Sequence, residues 1–138
     1  MTTTSDAAAG ETPCAAALLI DFGGVLTVPL RRAFGALADD AGLDPDAGLR
    51  VLATHEGART ALGEHEVGRL DDEGFEDAFA AALVEAGGRV EPRGLLARLA
   101  EHLVLDGPMV DLVREVRGAG VPVALVSNSL GRDCYARV

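Results

Sequence analysis

Two short stretches hold the residue types best suited to chemistry. Asp21 is followed by Phe22 and the pair Gly23-Gly24, and far along the chain Ser127 is followed by Asn128 and Ser129. A carboxylate such as Asp21 can attack phosphorus as a nucleophile or ligate a divalent metal. Glycines beside it let backbone N–H groups approach an anion closely and form a nest. A hydroxyl and an amide, as at Ser127 and Asn128, can hydrogen-bond phosphoryl oxygens. Taken singly, each feature is ordinary turn chemistry. Their joint value depends on whether the fold brings them to one place.

The flanking residues predict such a place. Ala15 to Phe22 is a short apolar run with no helical period that stops at the glycines, as a buried parallel strand would. Val121-Pro-Val-Ala-Leu-Val126 reads as a second buried strand ending at Ser127. Between them the chain reads as helices. Residues 29–41 open with Pro29 and end at Gly42. Asp44-Pro45 starts a helix near 45–55. Residues 56–70, with three glycines and mixed charge, read as loop. Asp71-Asp72 caps a helix with Phe75, Phe79, Ala82, Leu83 and Ala86 on one face, ended by Gly87-Gly88. Leu95, Leu96, Leu99 and Leu103 repeat the pattern over 92–104. Pro108 opens a helix whose apolar face is Met109, Leu112, Val113 and Val116. In an open parallel sheet, ligands sit outside the carboxyl ends of the strands, where Asp21 and Ser127 fall. The expected class is α/β with a helical insertion after the first strand.

Composition narrows the function classes. The chain has 138 residues and a net charge of −10, with no lysine; Arg supplies all 12 basic residues. That balance argues against a nucleic-acid partner and against docking on an anionic membrane. Apolar residues make up 49%, enough for a core, but only 4% are aromatic, so Leu, Val and Ala must build it. No apolar run is long enough to span a bilayer. Residues 1–14 are small and polar and read as a disordered tail. Two cysteines, Cys14 and Cys134, make no disulfide framework and fit a cytoplasmic setting.

Leu18-Leu-Ile-Asp21-Phe-Gly-Gly-Val-Leu-Thr27 resembles the first motif of the haloacid dehalogenase-like hydrolases, and Val123-Ala-Leu-Val-Ser127-Asn128-Ser resembles their second. The segment Gly68 to Phe75 looks like a helix entry in the helical cap of that superfamily. The resemblance implies a partial Rossmann-like core, from strands near 15–21 and 122–126 within 15–28 and 106–138, with a helical cap over 29–105. It implies a Mg²⁺-dependent phosphomonoesterase acting on a small phosphorylated metabolite. Asp21 would be the nucleophile that forms an aspartyl-phosphate. Asp21 and the Gly23 carbonyl would hold Mg²⁺. Backbone N–H groups of Phe22, Gly23 and Gly24 would face the substrate, and Ser127 and Asn128 would bind the phosphoryl oxygens. The cap would exclude water and select the leaving group.

The sequence departs from the family pattern in three ways. Gly23 stands where acid–base members carry a second Asp. The third-motif Lys is absent from the whole chain, and no fourth acidic motif follows Ser129. The expectation is therefore an incomplete chain, weakly active or inactive, with an unpaired sheet edge open to self-association or a complementing chain. The alternative is a non-catalytic remnant or interaction module, or one half of a split protein.

Other residues carry blander readings. His55, His65 and His102 read as surface histidines, and Arg31 and Arg32 as a solvated helix face near the pocket mouth. Cys134 reads as an incidental thiol. The acids Asp71, Asp72, Glu73, Glu76 and Asp77 lack calcium-loop spacing and fit the first turn of a helix.

Overall fold

The apolar run before Asp21 forms a strand, and the helices expected after it follow in order. The computed structural model describes residues 17–128. The expected tail over 1–14, together with Cys14, Ser129 and Cys134, lies outside the described residues. The order is β1 (Leu18–Ile20), α1 (Leu30–Asp40), α2 (Ala47–Thr54), α3 (Glu56–Glu66), α4 (Asp72–Glu85), α5 (Leu95–Glu101), α6 (Gly107–Gly118) and β2 (Val123–Leu125). The class is mixed α/β and mostly helical. β1 and β2 pair in parallel, with Leu18 opposite Val123, Leu19 opposite Ala124 and Ile20 opposite Leu125.

The core belongs to the helical block. Phe79 on α4 is fully buried, stacked on Phe75 at 5.8 Å between centroids and met edge-on by Phe34 of α1 at 6.3 Å. Leu37, Leu52, Leu83, Leu95 and Leu99 close around these rings. Asp71 caps α4 by accepting the Gly74 N–H at 2.9 Å, as its position before the apolar face predicts.

Residues 56–70 depart from the loop expectation, since α3 occupies most of them. Ala58, Ala61 and His65 are buried at helical spacing, and small side chains let α3 pack closely on its neighbours. His55 caps α3 by accepting the Ala58 N–H through Nδ1 at 3.2 Å. The surface reading also fails for His65. Its ring stacks on Phe75 at 4.9 Å, and its Nε2 lies 2.9 Å from Asp72 Oδ1.

The strands are less covered than fully buried parallel strands. Leu19, Leu125 and Val126 are 68%, 51% and 60% exposed. Two strands cannot cover one another's faces, and α6, the helix leading into β2, buries none of its residues fully. Its intended apolar face is open as well, with Leu112 exposed.

Glu76 explains how α5, the last helix before the chain returns to α6 and β2, is held. Buried on α4, its carboxylate accepts the Gly94 N–H at 3.0 Å and the Leu96 N–H at 2.9 Å, at the start of α5. Glu76→Ala strips both N–H groups of their acceptor. A chemical-denaturation curve should show a loss of about 2–3 kcal/mol, the scale of charged hydrogen bonds left unpaired. A loss within the scatter of surface substitutions would contradict the role.

Candidate functional site

Asp21 and Ser127 sit just past the carboxyl ends of β1 and β2, which the parallel pairing brings side by side. The ladder continues to the site itself, since the Val126 N–H donates to the Ile20 carbonyl at 2.9 Å. β1 then turns into a tight loop. The Phe22 carbonyl accepts the N–H groups of Val25, Leu26 and Thr27 at 3.2, 2.9 and 3.2 Å. Gly24 adopts φ +78°, a left-handed conformation that favours glycine. Thr27, buried, accepts the Gly24 N–H at 2.9 Å and donates to the Val28 carbonyl at 3.0 Å. The hydroxyl of Thr27 thus fixes the turn that carries the glycines.

That loop is also tied to the far end of the helical block. Thr27 and Leu105 form an isolated antiparallel bridge, with the Val28 N–H on the Val104 carbonyl at 2.8 Å and the Asp106 N–H on the Leu26 carbonyl at 2.9 Å. The segments that enter and leave the helical block are therefore joined next to Asp21. Sequence reading missed this contact, because a single bridge between distant residues leaves no local pattern.

The side chain of Asp21 is oriented by its own loop, with Oδ1 accepting the Phe22 N–H at 2.7 Å. Of the three N–H groups expected to face an anion, those of Phe22 and Gly24 already donate within the loop. The Gly23 N–H has no acceptor among the described residues. The Ser127 hydroxyl donates to the Asn128 carbonyl at 3.3 Å.

Asp21, Phe22, Gly23, Ser127 and Asn128 share one cavity of about 590 Å³, which Gly24 does not line. Its strand side is formed by Asp21, Phe22, Gly23, Val126, Ser127 and Asn128. Its helical side is formed by Leu30, Phe34, Leu49, Leu52, Leu62 and Glu66, with Ala53 and Leu103 completing the wall. Size and mixed lining are those of a small-molecule site. Among the described residues no Arg, Lys or His lines it. Arg31 is committed elsewhere, in a bidentate pair with Asp46 at 2.7 and 2.9 Å that holds the Asp46 carboxyl below the usual carboxylate range. Of the wall, Leu103 was singled out in sequence, while Glu66, Leu30, Leu49, Leu52 and Leu62 were not; for Glu66 and Leu62 the helical spacing of Ala58, Ala61, Leu62 and His65 would have placed them.

The acids at 71–77 are structural. Asp72 meets His65, Glu73 meets Arg93 at 2.9 Å, and Asp71 and Glu76 hold backbone N–H groups. Among the described residues no cluster of three or more His, Cys, Asp or Glu could hold a metal ion, and no helix is long and apolar enough to cross a membrane. For Mg²⁺ the cavity offers the Asp21 carboxylate and the neighbouring Gly23 carbonyl. Asp21 Oδ2 has no hydrogen-bond partner among the described residues. Mg²⁺ is commonly held by one or two carboxylates together with substrate phosphate and water, and the donor set fits an ion that arrives with a phosphate.

No family model matches the chain, and no curated protein matches it.

Proposed function

We propose that the chain is a haloacid dehalogenase-like phosphomonoesterase in which β1 and β2 are the centre of the catalytic core and α1 to α5 the cap. The observation that carries this reading is the convergence of Asp21, Gly23, Ser127 and Asn128 on one cavity from two distant stretches of sequence. The substrate is a small phosphorylated metabolite, and the setting is the cytoplasm. The outer backbone edges of the two-stranded sheet β1–β2, unpaired among the described residues, are where further strands would add, from a second copy or a complementing chain.

An Asp21 oxygen attacks phosphorus while the bond from phosphorus to the alcohol oxygen breaks, giving an aspartyl-phosphate. Gly23 carries no acid, so the departing alkoxide takes its proton from water. A second water then attacks phosphorus, releasing phosphate and restoring the carboxylate. The Gly23 N–H, the Ser127 hydroxyl and the Asn128 side chain hold the phosphoryl oxygens, and the N–H groups of Phe22 and Gly24 reach them only by sharing. Asp21 and the Gly23 carbonyl would hold Mg²⁺, which would supply positive charge to offset the phosphoryl group beside a carboxylate.

The absence of lysine favours a second reading, a binding module that keeps the cavity without turnover. The test is phosphate release from a small aryl phosphate with Mg²⁺, comparing the parent chain with Asp21→Asn. Weak turnover in the parent, lost in Asp21→Asn, is the expected result. Equal background in both would favour the binding module.

A further inference from the structure

We infer that the helical side of the cavity selects a leaving group with an apolar body and one cationic end, with Glu66 as the residue that receives the cation. The inference rests on the proposed reaction for the phosphoryl end, but the Glu66 subsite is defined without it.

The cavity divides by chemistry. Around Asp21 and Ser127 it is polar, while Leu30, Phe34, Leu49 and Leu62 present hydrocarbon on the helical side. A sugar or nucleoside leaving group would bring hydroxyls and ring nitrogens that these side chains cannot satisfy, and burying them unpaired is costly. An alkyl or aryl body meets no such penalty and gains from leaving water.

Among the described residues Glu66 is the one charged side chain lining the cavity apart from Asp21. It closes α3, and its side chain has no ion pair or hydrogen bond among the described residues, unlike several other acids of the helical block. Glu64 is held by Arg69 at 2.6 and 2.8 Å, Asp72 meets His65, and Glu85 meets His55 at 3.0 Å. With no Arg, Lys or His among the described residues of the lining, a second anion on the leaving group would face Glu66 with no described cation to offset it. A protonated amine or quaternary ammonium finds there both an opposite charge and an apolar approach. The site thus rejects dicarboxylate-like and bisphosphate substrates and accepts ammonium-bearing phosphomonoesters.

Hexylammonium and hexanoate, as chlorides and sodium salts, are the probes, with binding to the full chain followed by chemical-shift titration. The parent should bind hexylammonium more tightly than hexanoate, and the difference should shrink as salt rises. Glu66→Gln should weaken hexylammonium about three- to fivefold, the range of an exposed charge pair. Glu66→Lys should reverse the preference between the probes. Glu66 is exposed on the last turn of α3, so both variants are expected to fold, and their melting curves check it. If Asp21→Asn removes hexylammonium binding while Glu66→Gln and Glu66→Lys leave it unchanged, the cation sits at Asp21 and the inference is overturned. It is equally overturned if neither probe binds. Glu66-dependent binding without Asp21-dependent phosphate release keeps the subsite and discards the reaction. The converse keeps the reaction and discards the subsite.

Discussion

Gly23→Asp should raise the rate of phosphate release by about 10²- to 10⁴-fold, the contribution of a positioned general acid–base. A carboxyl group at position 23 would stand two residues beyond Asp21, at the same cavity. There it could protonate the leaving oxygen in the first step and activate water in the second. The backbone accepts the change. A Cβ at Gly23 would lie 3.3 Å from Leu30 Cδ2 and 3.5 Å from Cδ1, the mobile ends of a side chain that can yield by a few tenths of an ångström. Gly24 is the control, because its φ of +78° strains any side chain and its N–H is committed to Thr27. Gly24→Asp should therefore give no gain and should disturb the loop. Steady-state phosphate release under matched Mg²⁺ checks both. Asp21→Asn combined with Gly23→Asp should be silent, since the added acid assists a nucleophile and cannot replace it. An unchanged rate in Gly23→Asp would mean that leaving-group protonation does not limit the reaction.

Phe79→Ala should cost about 3–5 kcal/mol, as expected for a fully buried aromatic ring replaced by a methyl. Phe79 lies between Phe34 and Phe75, two rigid rings that cannot by themselves fill the space it would leave. For a domain whose total stability is of order 5–15 kcal/mol, that is a large share. The midpoint of thermal unfolding should fall by about 10–20 °C. Val84, on the same helix but 51% exposed, supplies the comparison. Val84→Ala should change stability by no more than about 0.5 kcal/mol. Function follows from the same packing, because Phe34 meets Phe79 in an edge contact and also lines the cavity. The milder Phe79→Leu should fold and yet weaken hexylammonium binding through a displaced Phe34. Circular-dichroism melts of the three variants decide the matter, and equal midpoints for Phe79→Ala and Val84→Ala would contradict a core centred on Phe79.

What could be read in sequence is what local chemistry determines. Asp21 and Ser127 were recognisable because apolar runs stop at them, and the parallel register then sets them side by side. The face of α4 and its Asp71 cap were legible because Phe75, Phe79 and Leu83 are large and evenly spaced. α3 was missed for the opposite reason. Its inward residues are Ala58, Ala61 and His65, too small or too polar to stand out against Gly57, Gly63 and the surrounding charges. Reading 56–70 as loop also hid Glu66, and with it the only charged residue among those described on the helical side of the cavity. His65 is buried by contacts made across the turn to α4, with Asp72 and Phe75, which no local pattern announces. Glu76 resembled its acidic neighbours in sequence, but it serves the start of α5 rather than its own helix. The strands were expected to be buried on the strength of their composition alone. Burial needs layers on both faces, and among the described residues Leu19 and Leu125 remain open.

The central claim is that Asp21 forms a covalent bond to phosphorus. The most direct measurement is mass spectrometry of the chain after incubation with acetyl phosphate and Mg²⁺ and quenching in acid, which preserves acyl phosphates. The account predicts a mass gain of one phosphoryl group, reversed by hydroxylamine, mapped to the peptide containing Asp21 and absent in Asp21→Asn. Phosphoryl transfer to another residue, or a parent chain that stays unmodified as Asp21→Asn does, would contradict it.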